Sequence, residues 1–245
     1  MHHYTDVREL LPGMTAFPEP AAVFSEDQPW LADHLLPLLA IDLGVVYPDL
    51  AGTAVTLLCP VEPYEGCVAE GTHAWHTPFT GPNWLAFELQ ADNRLLLLGQ
   101  EAYFRRAPQH AASLPPDPEL QQHAAQMLDN HARARAFFKQ HGRLPNAMEP
   151  DDPSAVGEAF LAHLGGPFQG GNWVDYERIP AGLELEYTPA ATRDGEDDIR
   201  LRRDGRDFFQ VASVPAHDWC AEGADSILMF YEPHSRTVLF TFDWS

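Results

Sequence analysis

Beyond residue 172 the chain is written as strand-like runs separated by turns too short to hold a helix. "LELEY" at 183–187 alternates apolar and acidic residues, the period of a half-buried strand. "IRLRRDGRDFFQVASV" carries Asp204-Gly205, a sequence that predicts a two-residue hairpin turn. "SILMFYEPHSRTVLFTFDW" predicts a further hairpin with Pro233 in its turn. Parallel neighbours need a crossover of about a dozen residues or more, and none is available between these runs. The strands must therefore pair antiparallel. The predicted class is α+β: mainly antiparallel β-sheet with two or three helices.

Helices are expected earlier. Asp117 as cap, Pro118 in the first turn and Gly142 as stop predict a helix over 118–141. Its apolar positions are Leu120, Ala124, Met127, Leu128, Ala134 and Phe138. His123, His131, Arg133 and Arg135 interrupt that face, which predicts a helix lying on a surface. A second helix is expected over Pro153–Leu164, with Asp152 as cap, Gly165 and Gly166 as stop, and Val156, Phe160 and Leu164 as its stripe. Ser25, Pro29, Trp30, Leu31, Leu35 and Leu38 suggest another helix; the alternative is a buried strand in "PLLAIDLGV", and length alone does not decide. "TAVTLLC" (53–59) reads as a strand, and "LAFELQ" and "RLLLLG" as a hairpin about "ADN". The connector "GRLPNAMEPDDP" is the best internal boundary. The expectation is one domain over 1–245, with sub-halves 1–141 and 152–245 joined by 142–151.

The 245 residues are 45% hydrophobic, enough for a sizeable core. Net charge matters more for function. Asp and Glu number 36 against 15 Lys and Arg, a formal charge of -21, and Lys139 is the one lysine. Such a surface repels phosphate backbones and anionic lipid, so neither nucleic acid nor membrane is an expected partner, whereas a basic protein is favoured. No basic stretch followed by an apolar run opens the chain, and "HLLPLLAIDLGVV" is too short to span a bilayer. Cys59, Cys67 and Cys220 are sparse and odd in number, which suits a reducing cytoplasm.

The sequence carries no phosphate loop, dinucleotide fingerprint, nucleophile elbow or HExxH. Cys59, Cys67, His73 and His76 are the donor types of a tetrahedral zinc site. Their spacing is irregular, and the reading favoured over zinc is two half-buried cysteines and two polar loop histidines. "AHDWC" (216–220) offers His217, Asp218 and Cys220 as a thiol–imidazole pair, but on a strand His217 and Cys220 would face opposite sides. Trp219 reads as a packing anchor. Between 149 and 198 stand twelve acids: Glu149, Asp151, Asp152, Glu158, Asp175, Glu177, Glu184, Glu186, Asp194, Glu196, Asp197 and Asp198, opposed in that stretch by Arg178 and Arg193. They read as a solvated acidic face, or more sharply as a docking surface.

One string recurs. "PFTGPNW" (78–84) returns as "PFQGGNW" (167–173). The first leads into a hairpin, the second follows the expected second helix, so both read as turn-to-strand punctuation, with distant duplication left open. Trp75, Phe79, Trp84, Phe168 and Trp173 surround the two copies and would either line a pocket or fill a seam between sheets, the seam being favoured.

Four stretches resemble the YwqG-like bacterial proteins: "LPLLAIDLGVVYPDL" (36–50), "TLLCPVEPYEGC" with "AWHTPF" (56–79), "HLGGPFQGG" (163–171) and "GADSILMFYEPHSRTVLFTFDWS" (223–245). Together they touch about a quarter of the chain, in the family's order. The family's first-strand Gln is Ala40 or thereabouts here, and the Cys-x-x-Cys pairs of some relatives are missing. The resemblance implies an α+β fold and a cytosolic protein, and supplies no catalytic residue.

Three functions follow as expectations. The leading one is a non-enzymatic protein-binding domain of the immunity or antitoxin kind, whose acidic face (Asp175, Glu177, Glu184, Glu186, Asp197, Asp198) blocks a basic protein. The second is a small-ligand binder or enzyme using the Gly-rich 165–173 turn, with Gln169, Asn172 and Trp173 as contacts. The third is a zinc-stabilised scaffold. No cofactor is expected and no catalytic residue is assigned.

Overall fold

The short-turned strands assemble into three antiparallel sheets. The computed structural model describes residues 2–111, 114–175, 179–190 and 197–244, and of Asp175 the backbone alone. In chain order the elements are β1 (Tyr4–Val7), β2 (Met14–Ala16), α1 (Pro20–Val23), β3 (Leu35–Asp42), β4 (Ala54–Pro60), β5 (Thr80–Gly81), β6 (Trp84–Leu89), β7 (Leu95–Leu97), α2 (Pro118–His141), β8 (Leu161–Leu164), β9 (Glu184–Thr188), β10 (Asp198–Arg203), β11 (Arg206–Asp207), β12 (Phe209–Val214), α3 (His217–Cys220), β13 (Ser226–Glu232) and β14 (Thr237–Asp243). The large sheet runs β1-β8-β12-β13-β14-β6-β5, with β7 also on β6; β2-β3-β4 and β11-β10-β9 form the two small sheets. The fold is thus α+β, mainly antiparallel, with three helices among the described residues.

The large sheet is buried on both faces, which sets its composition. Along β13, Ile227, Met229 and Tyr231 enter one core while Leu228 and Phe230 enter the other. β14 divides the same way, Val238, Phe240 and Phe242 against Leu239, and so does β6, Leu85, Phe87 and Leu89 against Trp84 and Ala86. The larger core lies beneath β2-β3-β4 and α2, and the smaller, aromatic-rich core lies beneath β9–β11. Strands from 1–141 and from 152–245 share the large sheet, so the 142–151 connector does not divide it.

α2 begins and ends where its cap and stop residues say. The Asp117 carboxylate accepts the Leu120 N–H at 2.9 Å, and Gly142 closes the helix in the left-handed region at φ 71°. Its histidines do not interrupt the inner face as expected. His123 is buried, and His131 Nε2 donates to the Pro37 carbonyl at 3.1 Å, tying α2 to β3. Burial holds the His131 pKa below its usual value.

Two helix expectations are corrected. No helix forms over Pro153–Leu164. That stretch is turn and coil, then β8, held between β1 and β12. Asp152 does accept N–H and O–H bonds from Ser154, both at 2.7 Å, but they close a local turn. Burial of Phe160, Leu161 and Leu164 in the sheet decides the rest. Over 25–38, only Pro29–Asp33 forms a short 3₁₀ turn, and the apolar run beyond it is strand β3, the alternative reading. No helix among the described residues is long and apolar enough to cross a membrane.

Candidate functional site

The recurring string builds a closure for the C-terminal strand. Trp84 and Trp173 meet edge to face, 5.9 Å between ring centroids, and both are fully buried. Phe168 stacks on Phe230 at 5.1 Å and Phe79 joins the same core, whereas Trp75 is 40% exposed and stands by His110. The Asn side chains do not fold back on their own turns. Asn83 donates to the Phe242 carbonyl and accepts from Trp244 Nε1 at 2.8 Å. Asn172 donates from its side chain to the Trp244 carbonyl and from its backbone to Asp243, each at 2.8 Å. The residues expected to touch a ligand are therefore engaged within the chain. The Gln169 N–H donates to Gln210 at 2.7 Å, and the Trp173 indole donates to the Gln169 carbonyl at 2.9 Å.

The expected acidic face is threaded with arginine. β9 and β10 set Glu184 opposite Arg202 and Glu186 opposite Arg200. Arg202 bridges Glu186 at 2.9 Å and Asp207 at 2.8 Å, and Arg200 reaches Asp198 at 3.5 Å. Asp197 accepts the Ala190 N–H at 2.9 Å. Glu177 lies outside the described residues, as does the side chain of Asp175.

The four metal-type residues do not come together as a set, and no group of three or more His, Cys, Asp or Glu among the described residues is disposed to hold a metal ion. His73 and His76 face each other at 5.3 Å, Cys67 is half-buried, and Cys59 is buried against Cys220. "AHDWC" is not a strand but the single turn α3. Cys220 points inward, where its hydrogen bond with Cys59 and then burial push its thiol well above the usual range, opposite to what a nucleophile needs. Trp219 packs on Phe17 at 5.0 Å and donates to the Phe160 carbonyl at 3.2 Å.

Two concavities flank opposite ends of α2, and neither was visible in the motifs. The first, of about 460 Å³, lies between the Glu62–Glu70 loop and the first turn of α2. Five carboxylates line it: Glu62, Glu65, Glu70, Asp117 and Glu119. Arg105 is the one cation in that lining, and it is already paired with Asp117 at 3.0 Å. Glu62 is 2% exposed and accepts the Arg105 and Arg106 N–H groups at 2.9 and 3.2 Å. Burial pushes its pKa up, against those N–H groups. Glu65, Glu70 and Glu119 are exposed and form no ion pair among the described residues, and Tyr64 stands half-exposed in the lining. The second concavity, of about 450 Å³, lies between the last turns of α2, the 145–153 connector and α3. The sequence trace of the first was Glu62, Glu65 and Glu70 around Gly66 and Gly71; Asp117 and Glu119 join them only through the fold.

Comparison with family models, with curated proteins and with solved structures finds no match to this chain.

Proposed function

We propose that the chain is a non-enzymatic binding module for a basic protein, and that it takes a cationic side chain of that partner in the acidic cleft at the N-terminal end of α2. The observation that supports this reading is the cleft's charge: five carboxylates face one arginine that Asp117 already neutralises. Glu65, Glu70 and Glu119 supply attraction at range and speed encounter. Tyr64 offers a ring face to a guanidinium or ammonium. A cation settling over buried Glu62 would favour its charged form, so binding would release protons at a pH where that carboxyl is still partly protonated. The cleft is preferred to the β9–β10 face because Arg200 and Arg202 answer Glu186, Asp198 and Asp207 there. The mode of action fits a blocking protein of the immunity or antitoxin kind. The sparse cysteines Cys59, Cys67 and Cys220 suit the cytoplasm, and the resemblance to the YwqG-like proteins rests on the four quoted stretches.

Titration with a short arginine-rich peptide at low and high salt tests the reading. The triple change Glu65→Gln, Glu70→Gln and Glu119→Gln should weaken binding about tenfold, from roughly 0.5 kcal/mol per exposed charge, and flatten the salt dependence. The pair Glu184→Gln and Glu186→Gln should leave it within about twofold. The reverse ranking would return the site to the sheet face and sink the cleft.

A further inference from the structure

A second groove lies at the other end of α2, apart from the acidic cleft. Its walls include Phe137, Pro145, Pro150 and Trp219, and Asp218 and His217 stand in the same lining. The Asp218 side chain is 13% exposed. Among the described residues no donor lies within hydrogen-bonding distance of its carboxylate; His217 Nε2 stands off at 3.6 Å. A carboxylate can accept about four hydrogen bonds, and the Asp218 oxygens are not sealed from solvent, so water rather than protein fills those places. The charges around it are mixed. Glu158 and Asp6 act against the ionised form, and His217 and Arg8 support it. Arg8 is itself engaged, with Asp6 at 2.9 Å and the Gly157 carbonyl at 2.8 Å. Across the groove, Arg133 is held by Asp129 at 3.3 Å, which leaves His141 and Asp151 as the remaining ionisable groups of the lining. The local demand is for a donor carrying positive charge on an apolar body.

We propose that this groove binds a small primary amine on an aromatic or aliphatic stem, the ammonium donating to Asp218 and the stem lying along Phe137 and the prolines. The volume suits a small molecule rather than a folded element. The ammonium supplies three N–H donors in place of that water, together with a charge opposite to the carboxylate's. The Phe137 ring is already in contact with His141 at 4.3 Å and Arg143 at 5.1 Å, so it offers the stem its remaining edge rather than an open face.

The probe is 2-phenylethylamine, titrated calorimetrically, with 3-phenylpropionate as the charge-reversed control and N-acetyl-lysine amide as the protein-borne form of the same group. The amine should bind saturably with a Kd of about 1 mM or tighter at pH 7.5, and the acid should not. Burial, then the Glu158 charge, push the Asp218 pKa up to about 6, so the competent carboxylate falls to roughly a tenth at pH 5. Amine affinity should drop about tenfold over that interval. Asp218→Asn should abolish both the binding and its pH dependence while leaving the chain folded, since it removes a charge the wall does not satisfy. Should that variant fail to fold, the pH profile of the unsubstituted chain decides between site and no site. Equal binding of the propionate, affinity unchanged between pH 7.5 and 5, or no binding of the amine at about 1 mM overturns the site. Tighter binding of the lysine amide than of the free amine overturns the assignment to a small molecule.

Discussion

The two copies of Pro-Phe-x-Gly-x-Asn-Trp reach the same place from different elements. In the first, Trp84 opens β6 inside the large sheet. In the second, Trp173 sits in a 3₁₀ turn that lies over that sheet. Their rings meet, and both Asn residues grip the end of β14 and the residue after it, Asn83 from a buried position and Asn172 from an exposed one. Identical residues thus do matching work without matching backbone. The recurrence belongs to a contact, the fastening of Phe242–Trp244, rather than to a repeated unit of fold.

The largest test of that comparison is removal of the rings. Trp84→Ala and Trp173→Ala should each cost about 3–5 kcal/mol in urea unfolding, as large buried aromatics do. The double variant should cost less than the sum by about 0.5–1.5 kcal/mol, because each single change already breaks the shared edge-to-face contact. Strict additivity would mean the two copies are energetically separate, and the comparison would fail at its centre.

A smaller test separates the two indoles. Trp173 Nε1 donates to the Gln169 carbonyl, whereas buried Trp84 Nε1 has no hydrogen-bond partner among the described residues. Trp84→Phe removes an unsatisfied donor, and Trp173→Phe removes a satisfied one and orphans a carbonyl. Trp173→Phe should therefore cost more, by about 1–2 kcal/mol. Equal costs would show that Trp84 finds a water partner and that the copies are alike in this respect as well.

How much of this was legible depends on how local the deciding interaction is. The β10–β11 turn follows from Asp204 and Gly205, both at positive φ, 51° and 70°, which an Asp-Gly pair tolerates. α2 follows from a cap and a stop at its two ends. The 153–164 stretch misled because its cap residue serves an equally local turn, while the choice of strand comes from β1 and β12, distant in sequence. The acidic cleft joins Glu62–Glu70 to Arg105, Asp117 and Glu119, and the arginine that answers Glu186 lies across a strand pair, so neither charge balance could be summed along the chain. The recurring string was visible at once, but its purpose was not, since its partners, Phe242, Asp243 and Trp244, lie 71 to 161 residues away in sequence.

The finest test compares the two asparagines. Asn83 is fully buried, and its side chain satisfies both the Phe242 carbonyl and the Trp244 indole. Asn83→Ala orphans both groups and also puts alanine at φ 67°, a left-handed conformation that asparagine tolerates better. Asn83→Gly keeps the backbone easy and isolates the hydrogen bonds, which should cost about 1–3 kcal/mol. Asn172 is exposed, so water replaces its side-chain bond to Trp244, and Asn172→Ala should cost about 0.5 kcal/mol, its backbone bond to Asp243 surviving. Hydrogen exchange at the β14 amides should rank the two in the same order. If Asn172→Ala loosens that strand as much as Asn83→Gly does, the second copy is an equal fastener and burial does not set the difference.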